Sequence, residues 1–195
     1  MNRYLKLALI GLVASCGGNR NYSAPRDLEN ACAIVRERPA YLQAMQSAQR
    51  RWGVPVPVMM ATIHQESKFI GNAKTPHQFA LGIIPLGRQS SAYGYSQALD
   101  STWEDYLRET GNRRARRDDI RAATDFMGWY MDGSSRQLGI PKSDARSQYL
   151  AYHEGRGGYS RGSHRSKSWL MSVANRVGER AVVYDAQLAS CGIRR

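Results

Sequence analysis

Three short clusters along the chain carry side chains whose types and spacing could do chemistry. They are Glu66-Ser67, then Tyr93-Gly94-Tyr95-Ser96-Gln97-Ala98, then Ala151-Tyr152-His153-Glu154-Gly155. Glu66 lies near the end of the run from Pro57 to Phe69, which reads as a helix: Pro55 and Pro57 suit its start, and Gly71 stands just past its end. On that helix Glu66 is i+3 from Ile63, i+4 from Thr62 and i+7 from Met59, and so falls on the apolar stripe. A carboxyl there is hard to ionise, because burial disfavours the charged form and negative charge near a helix C-terminus opposes the macrodipole. A raised pKa is what a general acid working near neutral pH requires. The competing reading is a glutamate at the stripe's edge that turns to solvent or pairs with an arginine.

Other chemistries fit these residues less well. The four histidines include no H-E-x-x-H, and His64-Gln65-Glu66 lacks the downstream C-x-x-C of a zinc deaminase, so no metal site is expected. Gly94-Tyr95-Ser96-Gln97-Ala98 approximates the G-x-S-x-G elbow of serine hydrolases. That motif needs a preceding buried strand and an α/β succession, and neither is visible.

The elements that must position the clusters are helical. Leu28, Ala31, Cys32 and Val35 share one face of a helix running from Asp27 up to Pro39, and Tyr41, Leu42, Met45, Ala48 and Trp52 line the next, up to Gly53. The helix of Glu66 follows. Between Ile70 and Ala92 the periodicity dissolves into Gly, Pro, Asn, Gln and Ser, with only Phe79 to Leu86 apolar enough for a short strand or hairpin. A loop this long is usually functional and is read as one wall of a cleft. Helices resume at Asp100-Ser101, where Ser101 and Glu104 have capping-box spacing, and again after Asp118-Asp119 through Tyr130. Ser143 to His153 predicts another, ending at Gly155, and Ser166 to Ala189 the last, with Trp169, Val173, Val177, Ala181, Tyr184 and Leu188 near one face. The expected fold is mainly α, a single helical domain with a central cleft.

The N-terminus reads as an export signal. Arg3 and Lys6 precede the run Leu7 to Ala14, a core too short to span a bilayer as a mature helix. Val13-Ala14-Ser15-Cys16 resembles a bacterial lipobox, which implies that Cys16 becomes a lipidated first residue. Gly17 stands where inner-membrane lipoproteins often have aspartate, so the resemblance points to the outer membrane. The expected division is a signal at 1–15, a tether at 16–26 rich in small and polar residues, and a domain at 27–195.

Export decides how charge and cysteine are read. The formal charge is +12, of which Arg3 and Lys6 supply two, leaving +10. Outside the cytoplasm this balance suits phospholipid head groups or the carboxylates of peptidoglycan stem peptides rather than nucleic acid. The densest run, Arg113-Arg114-Ala115-Arg116-Arg117, also reads as a solvated face. With Cys16 lipidated, Cys32 and Cys191 remain near the two ends of the mature chain. In an oxidising compartment they are expected to be bridged, the alternative being two buried thiols.

Taken in order, the three clusters resemble the catalytic domain of soluble lytic transglycosylases, glycoside hydrolase family 23, whose fold is similar to goose-type lysozyme. Its E-S, G-L-M-Q and A-Y-N-x-G motifs correspond to Glu66-Ser67, Gly94 to Gln97 and Ala151 to Gly155, over roughly Trp52 to Tyr184. Tyr95 and Ser96 stand where the family has Leu and Met, His153 replaces its asparagine, and Tyr184 is the candidate for its closing tyrosine. The resemblance implies cleavage between N-acetylmuramic acid and N-acetylglucosamine with Glu66 as acid and then base, closing a 1,6-anhydro ring without cofactor. It also implies that Ser67 helps hold the Glu66 carboxyl, that Tyr152 bonds it from a facing helix, and that Gly94, Tyr95, Gln97 and His153 line the sugar cleft. A muramidase that admits water and a non-catalytic wall-binding lipoprotein are the alternatives.

Overall fold

A computed structural model describes residues 21–80 and 84–193; Cys16 and the expected signal lie outside the described residues. The fold is built around α3 (Val56–Ser67), nine of whose twelve residues are buried. A helix that is apolar nearly all round belongs inside a protein. It touches four other helices: α2 (Pro39–Trp52), α5 (Ile120–Leu138), α6 (Ala145–Ser160) and α7 (Ser168–Ser190). α2 also lies along α5, and α6 packs between α5 and α7. α1 (Ala31–Glu37) rests on α2 and α7, while α4 (Asp100–Thr110) covers α5. One core runs through these contacts, with Met45, Met59, Met60, Ile63, Phe126, Met127, Leu150 and Tyr184 all at most 1 % exposed.

The expected hairpin is present. β1 (His77–Ala80) pairs antiparallel with β2 (Ile84–Arg88), His77 opposite Arg88, with an irregular register between Gln78 and Phe79.

Some helix boundaries and caps depart from the sequence reading. α1 begins at Ala31 rather than Asp27, because Asn30 Oδ1 accepts the Ala33 N–H at 3.1 Å. Ser101 and Glu104 form no capping box: α4 starts at Asp100, whose N–H donates to Ser91 Oγ at 3.1 Å. α5 runs beyond Tyr130 to Leu138, since Gly133 and Ser134 pack inward and the Ser134 hydroxyl donates to the Tyr130 carbonyl. Gly155 does break α6, with φ 74° and ψ 155°, a conformation open to glycine alone.

Cys32 and Cys191 form a disulfide, with Cα atoms 6.3 Å apart, joining α1 to the end of α7. Closing a loop this long removes about 4–5 kcal/mol of unfolded-state entropy in the chain-entropy account.

Candidate active site

Glu66 stands on the last turn of α3, and the chain leaves that helix under strain. Lys68 and Phe69 both have positive φ, 51° and 60°, where non-glycine residues lose on the order of 1–2 kcal/mol each. Phe69 is fully buried and stacks on Tyr41 with ring centroids 5.8 Å apart, which holds the turn. Gln97, in the second cluster, is the other non-glycine residue with positive φ among the described residues, at 48°. Backbone strain is thus confined to the motif clusters and their immediate neighbours.

The second cluster is a tight loop fastened beneath α3. The Ser67 hydroxyl donates to the Tyr95 carbonyl at 2.8 Å and to the Ile63 carbonyl at 3.3 Å, so it ties helix to loop instead of holding the Glu66 carboxyl. Tyr95 is 4 % exposed, and its hydroxyl meets that of Tyr41 at 3.1 Å. It is a core residue and does not line a sugar cleft. The Gly94 N–H donates to the Ala73 carbonyl, and the Gln97 side-chain amide donates to Ala73 and Gly94 carbonyls at 3.1 and 2.8 Å. Ser96 is fully buried and shows no base beside its hydroxyl, which argues against a nucleophile.

The third cluster brings a different tyrosine to Glu66 than the resemblance implied. The Tyr149 hydroxyl lies close enough to the Glu66 carboxyl to favour its ionised form. Tyr152, three residues on, donates instead to the Ser96 carbonyl at 2.6 Å and packs edge-on against Tyr130. It lies near enough to Glu66 to feel its charge, and so joins loop to helix behind the acid. His153 is exposed one turn from Tyr149, with Nδ1 3.2 Å from Glu154 Oε1 and its ring edge-on to Trp169. Glu154 is held down at about 2 by Lys167 and Ser163, which both donate to it, and stays charged.

Sequence reasoning missed Tyr149 and Trp169. Tyr149 could have been found as the residue four before His153, on the same helix face. Trp169 was placed on the core face of the last helix, yet it is 56 % exposed beside His153. Tyr184, by contrast, is fully buried and donates to the Leu28 carbonyl, far from a closing role in a cleft. His64, two residues before Glu66, turns away from it towards Glu29 and Tyr184, and burial pushes it down to about 4.

The electrostatics of Glu66 follow from this packing. Burial raises its pKa to about 7, while the Tyr149 hydroxyl and the Lys68 charge pull downward without prevailing. From 4.5 to about 7 corresponds to roughly 3 kcal/mol of preference for the protonated form. No carboxylate is among the groups acting on it. A groove of about 740 Å³ between α2, α3, α6 and α7 contains none of the motif residues.

A family model described as the transglycosylase SLT domain matches residues 4–191. The chain belongs to that family. It is a lytic transglycosylase acting on peptidoglycan, and a lysozyme-like helical domain is what the fold shows. No curated protein matches the chain. Within an SLT domain the Tyr149 contact makes a specific expectation. Its hydroxyl favours the ionised Glu66, so Tyr149→Phe should move the alkaline limb of the pH–activity profile to higher pH while lowering the maximum rate roughly tenfold. An unchanged limb, measured as turnover of purified sacculi against pH, would remove Tyr149 from the site.

Proposed function

We propose that the chain cleaves the bond between N-acetylmuramic acid and N-acetylglucosamine and leaves 1,6-anhydro ends, with Glu66 as its single catalytic carboxyl. The observation that carries this is a carboxyl that burial raises to about 7, so that a large share is protonated at neutral pH, with no carboxylate among the groups acting on it. Most glycosidases use two carboxylates, whereas a substrate bearing an N-acetyl group can supply its own nucleophile. Protonated Glu66 gives its proton to the glycosidic oxygen while the muramic acetamide oxygen attacks the anomeric carbon, breaking the bond to the leaving sugar. The resulting carboxylate takes the proton of the muramic sugar's own C6 hydroxyl, whose oxygen displaces the acetamide from C1 and closes the anhydro ring. Glu66 ends protonated, and no water is consumed. Tyr149 steadies the carboxylate between the two steps.

Mass spectrometry of the products released from purified sacculi tests this. Anhydro ends support the reading, reducing ends would make the enzyme a muramidase, and no release would make it a wall-binding protein.

His153, one helix turn on from Tyr149, and Trp169 of α7 beside it offer exposed rings suited to stacking on a sugar. Trp169→Ala should raise KM several-fold and leave the melting temperature within a degree or two, because the ring is largely exposed. A KM equal to that of the wild type would exclude this wall from substrate binding.

The place of action follows from the N-terminal reading. An outer-membrane lipoprotein acylated at Cys16 would work in the periplasm, where its substrate lies. Cys16→Ser should abolish palmitate labelling and move the protein out of the membrane fraction; a wild-type protein without label would overturn the anchor.

A further inference from the structure

The described chain joins the domain at Tyr22. Its carbonyl accepts the Gly71 N–H at 3.0 Å, and its hydroxyl donates to Asp118 Oδ2 at 2.9 Å. Asp118 is gripped by Arg116, Nε at 2.9 Å and Nη2 at 2.7 Å. The N-terminal segment therefore meets the fold beside the loop from Gly111 to Arg117.

That loop presents concentrated positive charge. Arg113, Arg114 and Arg116 are exposed, as is Arg121 at the start of α5. Arg114, Arg116 and Arg121 line, with Arg51, a concavity of about 420 Å³ whose acids are Asp119 and Asp125. Both acids are already committed. Asp119 caps α5 by accepting the Arg121 and Ala122 N–H groups, and Asp125 accepts from Arg51, Trp52 and Tyr106. Arg113, Arg114 and Arg121 reach no carboxylate among the described residues.

We infer that the Gly111–Arg117 loop, with Arg121, docks on anionic phospholipid head groups at the membrane that holds the chain's N-terminus. The inference rests on the reading of Cys16 as the lipidated residue. Tyr22 lies six residues after Cys16, a span of at most about 22 Å, so the arginines stay close to that surface. Each basic residue near an anionic bilayer strengthens attachment roughly fivefold. Arg116 is spent on Asp118, but Arg113, Arg114 and Arg121 together give roughly a hundredfold, enough to fix which face of the domain meets the bilayer. The Tyr95 N–H donates to the Arg117 carbonyl at 3.3 Å, so docking of this loop also orients the motif loop under Glu66.

The experiment uses purified full-length lipoprotein carrying Asn112→Cys, labelled with an environment-sensitive dye, in vesicles of phosphatidylcholine with or without phosphatidylglycerol and with a lipid-borne quencher. Quenching several-fold stronger in the anionic vesicles, lost in high salt and lost in Arg113→Glu/Arg114→Glu, is the expected result. Co-sedimentation with both vesicles but equal quenching would overturn the docking face and leave the lipid anchor standing. Co-sedimentation with anionic vesicles alone would support the face and overturn the anchor; co-sedimentation with neither would overturn both. Arginine-dependent capture by sacculi with no response to phosphatidylglycerol would assign the loop to stem-peptide carboxylates and overturn the lipid assignment.

Discussion

Glu66→Gln is expected to lower turnover of sacculi by at least roughly a thousandfold and, at the same time, to make the fold more stable above pH 7. The first effect follows because glutamine keeps the shape but can neither give nor take the proton that both steps need. The second follows from linkage. The folded pKa of Glu66 is raised from 4.5 to about 7, so between those values the folded state holds a proton that the unfolded state has lost. Stability attributable to this group therefore falls as pH rises through that window and stays low above it. Removing the carboxyl returns about 2–3 kcal/mol at pH 8 and almost nothing at pH 4. Denaturant unfolding of both proteins at the two pH values measures it. Equal gains at both would mean that Glu66 is not held protonated by its surroundings.

Gly94→Ala is expected to lose about 3–5 kcal/mol and, with it, the geometry of the motif loop. Gly94 has φ 80°, and a Cβ there would sit 2.1 Å from the Arg117 carbonyl oxygen and 2.6 Å from its carbon. Those are backbone atoms, so no rotamer change relieves the overlap. A thermal melt roughly 10 °C below wild type is the expected readout. A variant melting within two degrees of wild type would show that the loop and Arg117 are not packed in this way.

Much of the site was legible because its physics is local. The prolines before α3, the apolar residues inside it and the position of Glu66 are all written in one stretch, and the raised pKa followed from their spacing. The hairpin was legible as the apolar stretch within a polar segment, and the helix break at Gly155 as a glycine at the end of a periodic run. What the sequence hid depends on distant partners. Nothing near Ser67 shows that its hydroxyl goes to the Tyr95 carbonyl, and nothing near Tyr152 shows that Ser96 takes its hydrogen bond and leaves Glu66 to Tyr149. The family motif makes Tyr95 a lining residue, yet Tyr41, from outside its segment and stacked on Phe69, packs edge-on against it in the core. The cap of α4 was hidden in the same way: the helix starts at Asp100 as its sequence implies, but Ser91, outside it, accepts the Asp100 N–H where Ser101 had the spacing of a cap.

The bridge between Cys32 and Cys191 has a consequence for the life of the protein once a protease finds it. The exposed, arginine-rich loop around Arg113 and Arg114 is the kind of segment that trypsin-like enzymes cut. One half of a chain severed there holds Cys32 and the other holds Cys191, so the two pieces remain one covalent molecule. Non-reducing electrophoresis would show a single band, and only a thiol reductant would divide it. Glu66 lies in the N-terminal piece and Tyr149 in the C-terminal one, so a nicked enzyme keeps its acid and that acid's partner together for as long as the bridge stays oxidised.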